Sequence, residues 1–317
     1  MQKRGCFDRR RFFKSAGHFA FRLAVAGVAG RRLAAANPMR LGGPVFLKSA
    51  DPLILARAHR DLGYRAAYAP NMKVTDSDLI EETAKAFSQS DVVIAEVGAW
   101  VNMLDPDPDT RAKNLSFVME KLALADELGA RCCVDIAGSF NPEKWSGPHP
   151  ENLSQRFFDE TVANVRAVID GVKPKRTKFS IEMMGWAIPS SPDEYLRLIE
   201  AVDRPSFAVH IDVCNMINSP SRIYNNTALI RECFAKLGSR IVSCHAKDVA
   251  WVPGSQVHFE EVIPGRGEVD YATYLQEISR LKLDVPLMLE HLKSAEEYDE
   301  GRHYIQDVAK RIGLSFG

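Results

Sequence analysis

The sequence predicts a (β/α)8 barrel, in which eight parallel strands form a closed sheet and a helix follows each strand. The first observation is a regular alternation of short apolar runs and amphipathic stretches between residues 42 and 312. Strands that alternate with helices imply a parallel sheet. The second is that eight strand–helix units over about 270 residues match the size of this barrel. The third is that four consecutive strands in the second half end on an ionisable residue.

The first four units are bounded by glycines that stop helices and by loops rich in Pro, Asp and Gly. Gly63 ends the first helix and Gly129 ends the third, as glycine commonly does at a helix C-terminus. Residues 102–109 and 141–150 are loops that the barrel would place at its mouth. The predicted strands are 42–49, 64–70, 92–100 and 131–140, and the predicted helices are 51–62, 76–90, 110–128 and 152–171.

The last four units follow the same pattern. Ser191 and Pro192 open the fifth helix, and proline is favoured at the first helical position because its missing N–H is not needed there. Gly238 ends the sixth helix, and residues 248–269 are predicted to form a long loop. The predicted strands are 178–184, 207–212, 241–247 and 285–290, and the predicted helices are 191–202, 226–237, 270–281 and 295–312.

An open doubly wound sheet is the alternative fold for alternating strands and helices. It fits poorly, because no glycine-rich phosphate loop follows the first strand. Gly265 and Gly267 do not directly follow a strand and lack a third glycine, so a turn is the better interpretation of that segment.

Charge is distributed unevenly along a chain whose formal net charge is +0. Residues 1–40 hold ten of the 41 basic residues and one of the 41 acidic residues, so the remainder carries 31 basic and 40 acidic residues. An acidic body argues against a broad nucleic-acid-binding face. No stretch of the sequence is long and apolar enough to predict a membrane span.

The basic N-terminus resembles a twin-arginine export signal. Arg9 and Arg10 form the pair, an apolar run follows, and residues 34–36 are three alanines that resemble a cleavage site. Arg22 interrupts the apolar run, which favours the alternative of a basic extension on a cytoplasmic enzyme. We therefore divide the chain into residues 1–36, an export signal or extension that would direct the protein to the periplasm, and residues 37–317, a single barrel domain.

The ionisable residues at the four strand ends predict a metal site. Glu182, Asp212, His245 and Glu290 end the fifth to eighth strands, and the C-terminal ends of barrel strands meet at one mouth. Buried carboxylates repel one another and are costly to desolvate, and a divalent cation removes both penalties. The mixture of oxygen and nitrogen ligands indicates Mn or Mg, with Zn and Co as alternatives.

Other residues near these strand ends are candidates for catalysis. Lys247 could neutralise an enolate oxygen or could simply form an ion pair. His210 shares a strand face with Asp212 and is interpreted as a catalytic residue, a partner of one, or a core histidine.

Two further sets of residues complete the predicted barrel. Glu96 and Asp135, in the third and fourth strands, are interpreted as structural. Aromatic faces suit sugar rings or flat aglycones. The residues predicted to contact substrate are Trp145, Trp186, Asn215 and Arg266, and the predicted mouth loops also contain Trp100 and Trp251.

The four strand-end residues, Glu182, Asp212, His245 and Glu290, resemble the ligand pattern of the xylose-isomerase-like barrels. That superfamily includes sugar isomerases, ketose 3-epimerases, inosose dehydratases and endonuclease IV. The resemblance covers residues 42–312. Within the superfamily, the segments FAVHIDVCNMINSP and SCHAKD are similar to the large subunits of C-glycoside deglycosidases and related 3-oxo-glycoside lyases. Asn215 stands where ketose 3-epimerases usually carry a histidine.

The resemblance implies proton abstraction next to a sugar carbonyl, with Glu182 or Glu290 as the candidate base. We expect eliminative cleavage of a 3-oxo-glycoside, with isomerisation or 3-epimerisation of a free or phosphorylated sugar as the alternative. An inactive barrel that binds sugar or joins a complex is a third interpretation, and the intact ligand set argues against it. The expected partners are a sugar or glycoside, a small second subunit of the kind that C-deglycosidases use, and a second copy of the chain.

Overall fold

Eight parallel strands close into a barrel in the computed structural model, which describes residues 39–317. The predicted export signal or extension, residues 1–36, lies outside the described residues. The barrel strands are β1 Arg40–Gly42, β2 Ala66–Tyr68, β3 Val93–Gly98, β4 Cys132–Asp135, β5 Lys178–Glu182, β6 Phe207–Ile211, β7 Ile241–Ala246 and β10 Pro286–Leu289, and between the last two lie β8 Asp248–Trp251 and β9 Phe259–Val262.

Helices follow the barrel strands and cover the outside of the sheet. A continuous hydrophobic core joins the buried faces of these helices to the strands. The helices are α1 Pro52–Asp61, α2 Ser77–Gln89, α3 Pro108–Leu128, α4 Gln155–Val172, α5 Pro192–Val202, α6 Val213–Met216, α7 Pro220–Tyr224, α8 Asn226–Leu237, α9 Tyr271–Ser279 and α10 Ala295–Arg311. The predicted (β/α)8 fold is confirmed.

Polar residues at the helix starts explain where several helices begin. The side chain of Asp51 accepts hydrogen bonds from the backbone N–H groups of Leu53 and Ile54, at 2.8 and 3.2 Å. Ser191 accepts one from the N–H of Glu194 in the same way. Such caps satisfy donors that have no partner within the helix. No helix among residues 39–317 has the length and hydropathy that crossing a membrane requires.

The strand order places the four predicted ligand strands side by side. The sheet runs β1, β10, β7, β6, β5, β4, β3 and β2 before it closes. Glu182 of β5 pairs in register with His210 of β6, and His245 of β7 pairs with Met288 of β10. Because these neighbouring strands are parallel, their C-terminal ends share one rim. Side chains at these ends therefore face a common space.

Two segments differ from the prediction. The first strand was predicted at 42–49 but ends at Gly42, where a Cβ would lie only 2.5 Å from the carbonyl oxygen of Ala66. Pro44 follows, and proline lacks the N–H that a sheet requires.

The second segment, 248–269, was predicted as a loop but contains the antiparallel pair of β8 and β9. This segment lacks the apolar pattern of a barrel strand, because the hairpin lies outside the barrel and β9 is only partly buried.

Asp126 fastens the loop that leads into β5, the strand that carries Glu182. Its carboxylate accepts hydrogen bonds from the backbone N–H groups of Lys175, Arg176 and Thr177, at 2.9, 2.6 and 3.0 Å. Burial tends to raise the pKa of this carboxyl group, but these three N–H donors outweigh burial and lower it. The ionised form therefore stabilises the fold.

We predict that Asp126→Ala lowers the free energy of unfolding by about 1–3 kcal/mol at neutral pH, because three backbone donors lose a charged acceptor. Urea denaturation measures the loss, with Glu120→Ala on the exposed face of the same helix as the control. The difference should shrink as the pH falls through the lowered pKa of Asp126, because the carboxyl group is then protonated in both states. An effect equal to that of Glu120→Ala would contradict this role.

Candidate metal centre

Four side chains converge at the C-terminal rim of the barrel. Glu182 is the last residue of β5, Asp212 directly follows β6, His245 lies near the end of β7, and Glu290 directly follows β10. One ligand atom from each lies within 4.8 Å of the others. The structure thus brings together all four residues that the sequence predicted as metal ligands.

The imidazole of His245 lies at the centre of this cluster. Its Nδ1 atom is 2.9 Å from Oε2 of Glu290, 3.3 Å from Oε1 of Glu182 and 3.5 Å from Oδ2 of Asp212. Oδ2 of Asp212 and Oε2 of Glu290 are buried and make no hydrogen bond of good geometry with any described residue. Buried polar atoms normally have partners. These two oxygens face only the charged groups of His245 and Lys247, without a well-formed hydrogen bond. They therefore fit a cation, and the donor set suits Mn, Mg or Zn.

Lys247 and Asn215 border the cluster. Nζ of Lys247 lies 2.9 Å from Oδ2 of Asp212 and 3.4 Å from Oε2 of Glu290, and it donates a 3.1 Å hydrogen bond to Oδ1 of Asn215. Nδ2 of Asn215 donates to Oε1 of Glu182 at 2.7 Å. Asn215 therefore links Lys247 to Glu182 through both ends of its amide.

The charges of the cluster depend on one another. Burial raises the pKa of Glu182, which favours its neutral form. Burial would also raise the pKa of Glu290, but the charge of His245 outweighs it and lowers the value to about 2. The pKa of Asp212 is held well below its usual range in spite of burial, chiefly by Lys247. Burial lowers the pKa of His245, but Glu290 and Glu96 outweigh it and raise the value.

Glu96 lies below this cluster, inside the barrel. It was interpreted as structural and distant from the site, on the other half of the barrel. The structure shows that its side chain crosses the interior from β3 to accept hydrogen bonds from Nε2 of His245 at 3.1 Å, Nε2 of His210 at 3.0 Å and Oγ of Ser243. Asp135 does fit a structural role, since its carboxyl group accepts hydrogen bonds from two backbone N–H groups.

His210 was interpreted as a catalytic residue, a partner of one, or a core histidine. It is fully buried, and its ring meets that of His245 edge-on with the centroids 4.1 Å apart. The structure places it one layer beneath His245, where its Nε2 atom contacts Glu96. This position fits the second and third interpretations.

A cavity of about 430 Å³ opens above the cluster. This volume falls within the range of small-molecule sites. Its lining combines apolar and aromatic side chains with charged ones. The lining residues are Trp100, Ile136, Trp145, Ser146, Met184, Glu182, Asn215, Lys247, Glu261, Glu290 and His291.

The residues predicted to contact substrate are only partly brought together. Trp145 and Asn215 line the cavity. Trp186 does not line it and instead packs against the hydrophobic core. Arg266 borders a neighbouring cavity of about 260 Å³, where its guanidinium binds Glu300 at 2.7 Å. Trp251 stacks on Tyr224 and is also outside the lining.

Two ionisable lining residues, Glu261 and His291, were not found from the sequence. Glu261 belongs to β9, and its Oε2 atom lies 3.0 Å from Nδ1 of His291. His291 has a φ of 61°, and Trp100, which also lines the cavity, has a φ of 41°. Residues other than glycine rarely adopt the left-handed region, and strained residues of this kind concentrate at functional sites. No local sequence pattern signals this conformation.

We predict that the protein binds one Mn²⁺ ion and that Asp212→Asn weakens this binding by more than about 100-fold, since loss of an outer-shell partner alone costs 10- to 100-fold. Calorimetric titration of the metal-stripped protein with Mn²⁺ measures the dissociation constant. Asp193→Asn, on the exposed face of α5, should bind like the unchanged protein. Equal affinity in all three proteins would remove Asp212 from the site.

Known structures with a similar fold include the following three proteins. A xylose isomerase-like TIM barrel protein from Mycobacterium smegmatis, in complex with magnesium, is 18% identical, with a TM-score of 0.60 over 88% of this chain and 99% of that one. D-psicose 3-epimerase from Clostridium cellulolyticum H10 is 14% identical, with a TM-score of 0.62 over 87% and 100%. The 3-keto-D-glucoside 4-epimerase from E. coli is 14% identical, with a TM-score of 0.60 over 86% and 99%.

These identities establish similarity of fold alone. No curated protein matches the chain in sequence. The narrower resemblance to C-glycoside deglycosidases is not confirmed by these matches. The family model described as a xylose isomerase-like TIM barrel matches residues 56–308, which is most of the chain. The chain therefore belongs to the xylose isomerase-like TIM barrel family.

Proposed function

We propose that this protein is a divalent-metal-dependent sugar epimerase or isomerase that acts at the carbon next to a carbonyl group. One observation carries the proposal. Glu182 and Glu290 both line the cavity, and both also belong to the cluster that could hold a cation. Two carboxylates therefore face the same substrate volume. The similarity to two sugar epimerases supports this chemistry over elimination.

The two carboxylates provide the proton transfers in this proposal. One of them, Glu182 or Glu290, removes the proton from the carbon beside the carbonyl group, and the electrons of the C–H bond move towards the carbonyl oxygen. The other carboxyl group returns a proton to the opposite face, which inverts the carbon. An isomerase would instead return the proton to the neighbouring carbon. In either case the substrate gains as many protons as it loses.

The negative charge that develops on the carbonyl oxygen must be stabilised. A divalent cation held by Glu182, Asp212, His245 and Glu290 would act as a Lewis acid towards that oxygen. Lys247 reaches the same edge of the cluster, where its ammonium group can donate a hydrogen bond to a substrate oxygen. Trp145 supplies an apolar surface for a ring face.

We predict that Mn²⁺-loaded protein in deuterated water incorporates deuterium beside the carbonyl group of a ketose or keto-glycoside and inverts that carbon. NMR of the recovered sugar measures both events. Glu182→Gln and Glu290→Gln should each slow inversion by about 10²- to 10⁴-fold, because each removes one acid–base group. Glu200→Gln, an exposed residue of α5, is the matched control.

Each outcome of the exchange experiment has a distinct meaning. Deuterium without inversion would indicate that one carboxylate serves a single face, as in an isomerase. Full activity in both glutamine variants would contradict the proposed roles of Glu182 and Glu290. Absence of deuterium from every ketose and keto-glycoside tested would contradict the proposed reaction.

Elimination from a 3-oxo-glycoside is the second candidate, and Asn215 is the observation that favours it. Asn215 replaces the histidine usual in ketose 3-epimerases, and its amide is occupied by Glu182 and Lys247. In this reaction a carboxylate removes the proton at carbon 2, and the bond from carbon 1 to the aglycone breaks. The departing group leaves with the electron pair and takes a proton, while a double bond forms between carbons 1 and 2.

We predict that the protein inverts 4-nitrophenyl 3-oxo-glucoside without releasing 4-nitrophenol faster than a metal-free control does. Absorbance of the nitrophenolate measures release, and NMR of the remaining glycoside measures inversion. Inversion with no release supports the epimerase. Release that requires both Mn²⁺ and Glu182 would overturn the epimerase in favour of the lyase.

A further inference from the structure

Glu96 is an acidic side chain that reaches the metal cluster from inside the barrel. It is 1% exposed, lies on β3 and contacts two strands of the opposite side of the barrel. Its Oε2 atom accepts from Nε2 of His245, and its Oε1 atom accepts from Nε2 of His210 and from Oγ of Ser243. Three donors thus hold one carboxylate in a single orientation.

The two nitrogen atoms of His245 face different partners. Nε2 faces Glu96, whereas Nδ1 faces Glu182, Asp212 and Glu290. A carboxylate only accepts hydrogen bonds, so Nε2 must carry a hydrogen atom. Nδ1 also faces only acceptors, so it carries a hydrogen atom as well when no cation is bound. A cation at Nδ1 would have to displace that hydrogen atom, and the neutral ring would then keep the one on Nε2. Glu96 therefore favours the tautomer that a cation requires.

We infer that Glu96 is a positioning residue that holds the ring of His245 in the orientation and tautomer needed to bind a metal ion. This inference rests on the proposed metal centre. Histidine ligands commonly donate their second ring N–H to a carboxylate, and removal of that carboxylate typically costs 10- to 100-fold in metal affinity. Glu96 is not among the residues that line the cavity above the cluster, so its effect on a bound ion would pass through His245.

His210 and Ser243 complete the support. Their donors occupy the Oε1 atom of Glu96 and leave Oε2 for His245. Because the carboxylate is held by donors on both of its oxygens, it would stay oriented towards His245 if that residue bound a cation. A second metal ion among Glu96, His210 and His245 is the competing explanation, since their ligand atoms also lie within 4.8 Å of one another.

Glu96→Gln tests the inference with little change in shape. The amide has one acceptor oxygen and one NH₂ group, so it cannot accept from His245 and from His210 and Ser243 together. If its NH₂ group faces His245, the hydrogen atom of the ring moves to Nδ1 and blocks the ligand atom. We predict that the dissociation constant for Mn²⁺ rises by about 10- to 100-fold.

Two controls separate positioning from general destabilisation. Asp135→Asn makes the same exchange at a buried carboxyl group on the adjacent strand, without contact to His245, and should leave the affinity unchanged. Glu96→Asp retains a carboxylate and should recover part of the affinity that Glu96→Gln loses. Calorimetric titration gives the affinity and stoichiometry, and the melting temperature of each metal-free protein reports loss of stability.

The outcomes distinguish this inference from the proposed metal centre. If the unchanged protein binds no Mn²⁺, the metal centre itself fails. If it binds one ion and Glu96→Gln binds that ion equally well, Glu96 has no positioning role. A stoichiometry of two that falls to one in Glu96→Gln would overturn the inference in favour of a second ion. If Asp135→Asn also binds Mn²⁺ more weakly, the loss in Glu96→Gln would be a general consequence of altering the barrel interior, and Glu96 would have no specific positioning role.

Discussion

Mutual repulsion among three carboxylates with little solvent exposure is the constraint on which this site depends. Glu182 and Asp212 are buried, Glu290 is partly buried, and all three lie around one imidazole at the barrel rim. Such an arrangement is costly unless positive charge compensates for it. His245 and Lys247 supply part of that charge, and a divalent cation would supply the rest. The same excess of acceptor oxygens that makes the cluster costly therefore makes it suitable for binding a metal ion.

The barrel provides the rigidity that this arrangement needs. The three acidic groups and His245 are each at or near the end of a hydrogen-bonded strand, and these four strands are consecutive neighbours in the sheet. Their carboxylates cannot separate without disrupting the sheet, so the repulsion is retained rather than relaxed. The β8–β9 hairpin and the residue after β10 add Glu261 and His291 at the edge of the cavity. Substrate selection in this account belongs to these segments and to Trp100 and Trp145, whereas the chemistry belongs to the strand ends.

The sequence predicted the fold and the four-residue cluster because both follow from local patterns. Glu182 and His245 are ionisable residues in apolar strands, and strand order converts that pattern into proximity. Glu96 shows the same pattern in β3, but its partners are 114 and more residues away across the barrel, which local periodicity does not specify. Trp186 was misplaced for a related reason. An aromatic residue in a loop can face either the cavity or the core, and only the packing of the loop decides which.

Anomalous diffraction from Mn²⁺-soaked crystals tests the central claim most directly, because it locates the ion without reference to any substrate. The account predicts a single peak roughly 2.0–2.4 Å from Nδ1 of His245 and from oxygens of Glu182, Asp212 and Glu290. Nε2 of the same ring should remain hydrogen-bonded to Glu96. A peak bound instead to Nε2 between Glu96 and His210, or no peak at the barrel mouth in crystals of the unchanged protein, would contradict it.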